Sequence, residues 1–367
     1  MYPSFIVEYS VAPHHLSKQV FVGIVKWLRE TRVEAKHTGR KLEADALKIV
    51  INRIYGAFND AMDYLYDPEC TYTVTINLQL LLCGLIEAFE LNNFDVLSAN
   101  TDGLLVRLPL NRQGVFKHIC NEWSAYSKLD LETEKFEKYC RSAVNDYIAV
   151  GYGFYDALQE YNRCGVWIDS KSNTYTTRQA IEDKFIKFKG YFLQDPEYNK
   201  GFVYPVVKKA LKEYFLYGVD ITEFIRNYIN TSRTAIYDYC FSQKVAGKYT
   251  TIYKTVRDGK PVYIKCQKHN RFYICKSGGG AITKAIVPDS DNIAYGDDIS
   301  GIIVEEEKSL VAGQRVALFN DYEYKEDYNL NYGFYINEAY KILYGNGKTG
   351  KGERRGINNN SNNLFGW

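Results

Sequence analysis

The sequence predicts an α+β protein built as more than one lobe. Three observations carry this: helical periodicity across residues 16 to 58, two short apolar runs around a polar tip at 96 to 108, and a stretch of β-branched and aromatic residues from Tyr249 to Val287. Length points the same way, because 367 residues exceed the roughly 250 to 300 at which single cores stop growing.

In chain order, Leu16 to Lys36 places Val20, Val22, Ile24, Val25, Leu28 and Val33 among basic residues, a helical pattern. His37-Thr38-Gly39-Arg40 reads as a tight turn, and Leu42 to Phe58 as a second helix, so the pair forms an antiparallel helical hairpin. After Asp67-Pro68, Val74 to Leu91 is apolar nearly all round and is expected to be buried on most faces. Val96 to Leu108 then predicts a β-hairpin whose turn is Asn100-Thr101-Asp102-Gly103. Val115 to Ser127 is expected to be a helix and Tyr139 to Tyr152 a strand region. Helices follow at Val206 to Tyr217 and Ile221 to Tyr228, broken at Gly218, and then short strands with a turn at Gly278-Gly279-Gly280. Gly345 to Asn363, rich in Gly, Lys and Asn, is expected to be a flexible tail.

Composition excludes several classes. With 46% hydrophobic and 15% aromatic residues, general disorder is excluded. A net charge of +2 excludes binding of nucleic acid through bulk charge, as histones do. Basic charge is local instead: Lys200 to Lys276 holds 15 Lys/Arg against 5 Asp/Glu, whereas residues 286 to 328 hold 3 against 11. Eight cysteines with no CxxC spacing indicate neither a zinc knuckle nor a disulfide framework, and favour a reducing compartment. No signal peptide is expected, since Met1 to Ala12 lacks a basic n-region and an apolar h-region, and no membrane span, since the most apolar run, Val74 to Phe89, is interrupted by Asn77, Gln79 and Glu87.

Two groups of residues carry candidate chemistry. Asp102, at a hairpin tip after an apolar helix, is placed to hold a divalent cation, although Asp-Gly is also ordinary turn chemistry. Arg32 and Lys36 share a helix face at i, i+4, and Lys48, Asn52 and Tyr55 share one at i, i+4, i+7. Facing helices of this kind would offer cations and an amide to a triphosphate; the plain alternative is a solvated charged face.

These residues resemble motifs of the family B DNA polymerases, bacteriophage branch. Lys48-Ile49-Val50-Ile51-Asn52-Arg53-Ile54-Tyr55-Gly56 resembles motif B, K-x3-N-S-x-Y-G, with Arg53 at the Ser. Ala99-Asn100-Thr101-Asp102-Gly103 is similar to motif C, with Asn100 at its first Asp and Asp102 at its second. Met1-Tyr2-Pro3-Ser4 resembles the end of motif A, and Arg32 and Lys36 match the R-x3-K of the fingers. Asn145-Asp146-Tyr147 stands where the family has K-x-Y, so only Tyr147 carries over. Residues 187 to 217, including Lys189, Lys208 and Lys209, resemble the palm-to-thumb passage.

The resemblance implies a right-hand fold: palm at 1–15, helical-hairpin fingers at 16–56, palm with an antiparallel sheet at 57–195, mixed thumb at 196–344 and a tail at 345–367. It implies template-directed dNTP addition to a primer 3′ end by two-metal phosphoryl transfer, with two Mg²⁺ ions, or Mn²⁺, held by Asp102. Arg32, Lys36 and Lys48 would hold the triphosphate, Asn52 would position the nucleotide, and Tyr55 would lie by the nascent pair. Tyr2 would stack under the deoxyribose as a steric gate. Tyr147, Lys189, Lys208 and Lys209 would contact DNA, where phosphate contacts position the duplex without reading sequence.

The motif A aspartate would fall five residues before Tyr2, outside this chain. The expectation is therefore poor extension by the chain alone and completion by an N-terminal polymerase and exonuclease half. The setting implied is viral DNA replication in the cytoplasm of a phage-infected bacterium, away from membranes. A replisome factor is a further candidate partner for Leu364-Phe365-Gly366-Trp367, against a plain disordered end. The alternatives are a non-catalytic DNA-binding remnant, a truncated fragment, and a palm-containing RNA polymerase or reverse transcriptase.

Overall fold

A computed structural model describes residues 1–100, 103–143, 146–190 and 204–344. The chain divides into two compact units, Met1–Glu134 and Lys135–Trp367. That boundary falls inside the stretch read from sequence as palm. Both units mix helices with antiparallel strands, as the α+β expectation requires.

The first unit begins with α1 (Tyr2–Glu8), where Pro3 in the first turn presets the helical φ and Phe5 and Ile6 are buried. α2 (Lys18–His37) and α3 (Lys41–Ala57) form the expected hairpin. Gly39, at φ 75°, makes the reversal between them, a conformation that costs a residue with a side chain about 1 to 2 kcal/mol. Phe21, early in α2, comes within 6.0 Å of Phe58, just past α3, which fixes the antiparallel pairing. The stripe that α2 buries is Phe21, Val25 and Ala35. Val20, Ile24 and Val33, expected on the apolar face, are instead 60%, 51% and 45% exposed, so the sequence reading mixed two faces of this helix.

α4 (Pro68–Leu91) starts six residues before the expected Val74. Asp67 caps it, its carboxylate accepting from the Glu69 and Cys70 N–H groups. Burial on most faces is not what α4 shows. Cys70, Val74, Leu78, Leu82, Leu85 and Phe89 form one buried stripe, while Tyr72, Ile76 and Leu80 are 63%, 51% and 63% exposed. The apolar residues at i, i+4, i+8 on the outer side made the pattern look uniform when one side faces water. Among the described residues α4 is the one helix long and apolar enough to cross a membrane.

The expected hairpin follows as β1 (Val96–Asn100) and β2 (Gly103–Val106), paired with Asn100 opposite Gly103. Asp102, with Thr101, lies outside the described residues. α5 (Gln113–Ser127) closes the unit; its Trp123 buries its ring and donates Nε1–H to the Leu81 carbonyl at 2.8 Å.

The second unit starts with β3 (Phe136–Ala143) and β4 (Asp146–Gly151), so the single strand region expected at 139 to 152 is two paired strands. Next come α6 (Phe154–Cys164), β5 (Trp167–Ile168), β6 (Thr174–Tyr175), α7 (Arg178–Phe185) and β7 (Ile186–Lys189), with β7 pairing with β4. α8 (Pro205–Tyr217), ended by Gly218 at φ 72°, and α9 (Ile221–Asn227) lie close to their expected bounds. α10 (Ile236–Tyr239) leads into β8 (Cys240–Lys244), β9 (Thr250–Arg257), β10 (Lys260–Cys266), β11 (His269–Cys275) and β12 (Ala281–Ile286). β13 (Glu305–Ser309), β14 (Arg315–Leu318) and α11 (Tyr332–Tyr344) complete the unit. The later strands form two antiparallel sheets, β14-β11-β8 and β10-β9-β12-β13. β13 bulges: Glu306 and Glu307 together oppose Ala285, with Glu306 at φ 49°.

Ile148, Val150, Ile181, Val206, Leu211, Tyr239, Phe272 and Tyr335 share one core here. The expected tail, 345 onward, lies outside the described residues.

Candidate nucleotide-binding site

Three helices of the first unit build a cavity of about 400 Å³, lined by Met1, Tyr2, Pro3, Arg32, Lys48, Ile51, Asn52 and Tyr55. Each arrives for a local reason. Tyr2 and Pro3 form the first turn of α1, whose next residues, Phe5 and Ile6, anchor it in the core. Arg32 continues the buried stripe of α2, lying two turns after Val25 and one before Ala35, so its side chain is directed inward. On α3, Ile51 is 4% exposed and brings its helical neighbours Lys48, Asn52 and Tyr55 to the same face.

Within this cavity Tyr2 and Tyr55 stack, ring centroids 4.2 Å apart and planes at 0°. The Tyr55 hydroxyl lies 2.6 Å from Thr75 Oγ1 on α4, which ties α3 to α4. Arg32 Nε is buried and, among the described residues, has no hydrogen-bond partner. Leaving such a donor unmet costs about 1 to 3 kcal/mol. The lining thus combines a guanidinium, an ammonium, an amide and two aromatic rings. That set suits a ligand carrying anionic oxygens and a flat ring system.

Of the expected nucleotide residues, Tyr2, Arg32, Lys48, Asn52 and Tyr55 come together. Lys36, one turn further along α2, is exposed and is not in the lining. Arg53, the departure from motif B, pairs with Asp60 and Asp63, both at 2.9 Å, and braces the loop after α3. Sequence reading missed Met1, Pro3 and Ile51, which enter through helix packing, and Thr75, which no motif marks.

Among the described residues no carboxylate lines the cavity. Among the described residues no group of three or more His, Cys, Asp or Glu is arranged to hold a metal ion. Asp102 lies outside those residues, so the residues in view do not by themselves fit a magnesium site.

The expected DNA-contacting residues belong to the second unit. Tyr147 on β4 and Lys189 on β7 are register partners, with Lys189 Nζ 5.9 Å from the Tyr147 ring centroid. Tyr139 stacks on the same ring at 5.0 Å. Lys208 is part-buried, and desolvation lowers its pKa from the usual 10.5 while Asp146 opposes the shift. Lys209 donates to Tyr228 Oη at 2.7 Å and to Asp238 at 2.6 Å, an internal ion pair.

The basic and acidic blocks distinguished in the sequence meet in the fold. Lys248 pairs with Glu306 at 2.8 Å and Lys254 with Glu307 at 2.6 Å, so part of the basic surplus is neutralised internally. No protein-family model matches the chain, and no curated protein sequence matches it.

Proposed function

We propose that the chain is the nucleotide-binding and DNA-binding portion of a DNA polymerase of the family B type, acting in viral DNA replication. The observation that carries this reading is the convergence of Tyr2, Arg32, Lys48, Asn52 and Tyr55 on one cavity. The order of the motif resemblances along the sequence supports it further.

In this reading Arg32 and Lys48 hold the triphosphate of a dNTP by charge-assisted hydrogen bonds and offset charge that develops during transfer. Asn52 orients the nucleotide, and the aromatic pair bounds the sugar and base. Lys36, exposed at the end of α2, acts at most on the outer phosphates. Magnesium enters the reading only through the motif around Asp102. Primer-template DNA would be held by the second unit, with Tyr147, Lys189 and Lys208 as contacts and Lys209 acting only if its pair with Asp238 opens. Of the family's two metal-bridging carboxylates, the motif resemblance locates one in this chain, Asp102.

The test is primer extension with dNTPs and Mg²⁺, using the chain alone and mixed with the polypeptide encoded immediately upstream. Extension only in the mixture, abolished by Asp102→Asn, is the expected result. Absence of extension in both, with no nucleotide binding by the chain, overturns the reading.

A further inference from the structure

We infer that Thr75, on α4, is a positioning residue for the nucleotide pocket, acting through Tyr55. This rests on the nucleotide reading of the cavity and extends it to a helix that contributes no residue to the lining.

The argument is one of proton accounting. Thr75 Oγ1 carries a single hydrogen and donates it to the Thr71 carbonyl one turn earlier, at 2.7 Å. With that hydrogen committed, the contact of 2.6 Å between Tyr55 Oη and Thr75 Oγ1 has one polarity: the phenol donates and the threonine accepts. The backbone of α4 therefore orients Thr75, Thr75 fixes the Tyr55 hydroxyl, and the ring is held in the plane in which it meets Tyr2.

Two consequences follow for a ligand. The phenol proton of Tyr55 is already used, so a nucleotide meets this residue through the ring and the remaining lone pairs. The ring also has no freedom to tilt without breaking a short hydrogen bond, which makes the wall of the pocket rigid where sugar and base would lie. Rigid placement of a binding group is what side-chain supports of this kind supply. It also makes the pocket sensitive to small changes in its wall, since misplacement by an ångström has large effects on positioned chemistry.

The distinguishing experiment uses the full 367-residue chain with a short primer-template and measures the affinity for the templated dNTP and for its ribonucleotide counterpart. Thr75→Val keeps the branched shape and removes the acceptor. It is expected to weaken dNTP binding about fivefold, the size of one net hydrogen bond, and to narrow the dNTP over rNTP preference. Thr75→Ser restores the acceptor and should restore both. Tyr55→Phe should match Thr75→Val, and the double variant should be no worse than either single one.

A merely structural role would lower the melting temperature of Thr75→Val while leaving the nucleotide preference unchanged, and that result overturns the inference. So does equal binding by Thr75→Val and the parent chain. If the parent chain binds neither nucleotide, the nucleotide reading of the pocket fails, and the inference fails with it.

Discussion

Tyr2 and Tyr55 lie ring on ring, 4.2 Å between centroids with parallel planes, although one opens α1 and the other is near the end of α3. Aromatic pairs of this kind contribute about 0.5 to 1.5 kcal/mol beyond the area they bury. The pair therefore fastens the first helix to the hairpin as well as shaping the cavity. On the polymerase reading, Tyr2→Ala should raise rNTP use relative to dNTP use in primer extension roughly tenfold, equivalent to about 1.4 kcal/mol. The ratio of kcat/KM values for the two nucleotides measures this. An unchanged ratio would count against Tyr2 as the gate.

Arg32 and Lys36 are one helical turn apart, yet only Arg32 reaches the cavity. Arg32→Ala should weaken dNTP binding roughly tenfold or more, as expected for loss of a hydrogen bond from a charged donor. Arg32→Lys should recover little, because an ammonium does not reproduce the planar donor set. Lys36→Ala should change affinity less than about twofold, in keeping with an exposed charge. Isothermal titration of the three variants separates these outcomes.

Asp67 joins the loop before α2 to the start of α4. Burial pushes its carboxyl up, but hydrogen bonds from the His14 backbone N–H, the His14 ring and the Cys70 N–H outweigh this and hold it at about 2, below its usual 3.8. The His14 pKa is raised above 6.5 by its hydrogen bond to Asp67 and the charge of Asp67, with Glu69 adding to the effect. The signs are opposite. The Asp67 contribution is present above its ordinary pKa and is lost as pH falls toward 2. The His14 contribution is complete below 6.5 and is lost as pH rises through its raised value. Asp67→Asn, which retains a good helix cap, should return the NMR titration midpoint of His14 toward 6.5.

Gly280 sits where a side chain has no room. A Cβ there would lie 2.1 Å from the Lys254 carbonyl oxygen and 3.0 Å from the Tyr253 ring. Gly280→Ala should therefore destabilise the second unit by about 1 to 3 kcal/mol, or more if the strands cannot shift. Gly278→Ala, at φ 69° with open space, should cost only the left-handed backbone strain, about 1 to 2 kcal/mol. Chemical denaturation of the two variants tests the ranking.

Tyr335, fully buried, links three chain segments. Its hydroxyl accepts from the Ile274 N–H at 2.9 Å and donates to the Tyr239 carbonyl at 2.8 Å. Tyr335→Phe keeps the ring but leaves a buried donor and acceptor unmet. A loss of about 1 to 3 kcal/mol in unfolding free energy is expected.

The sequence revealed the helical hairpin because α2, the Gly39 turn and α3 are local features, and most of the pocket because Lys48, Asn52 and Tyr55 follow helical spacing. It could not reveal Thr75, whose part depends on where α4 lies beside α3. Burial along α4 was misjudged because an apolar residue on the outer face looks the same in sequence as one in the core. α11 went unread because Tyr332, Tyr335, Tyr340 and Tyr344 resemble strand residues, whereas tertiary packing places Tyr335 in the core. The Glu182 cluster was hidden for a related reason. Glu182 is 3% exposed and meets Arg178 from its own helix, but also Lys212 and Tyr217 from α8. The basic and acidic blocks were counted correctly, but only the fold shows which lysines and glutamates meet.

The bulge in β13 has a consequence for how the molecule meets its own copies. β13 lies at the border of its sheet, and Glu305, Glu306 and Glu307 are all exposed there. An open, regular border invites another strand to pair with it, the first step toward fibrous aggregates. Here two such borders brought together would have to match across a backbone kinked at Glu306, with the Glu306 and Glu307 side chains already held by Lys248 and Lys254. The strand thus remains the last in its sheet, and crowded chains are kept from stitching together along it.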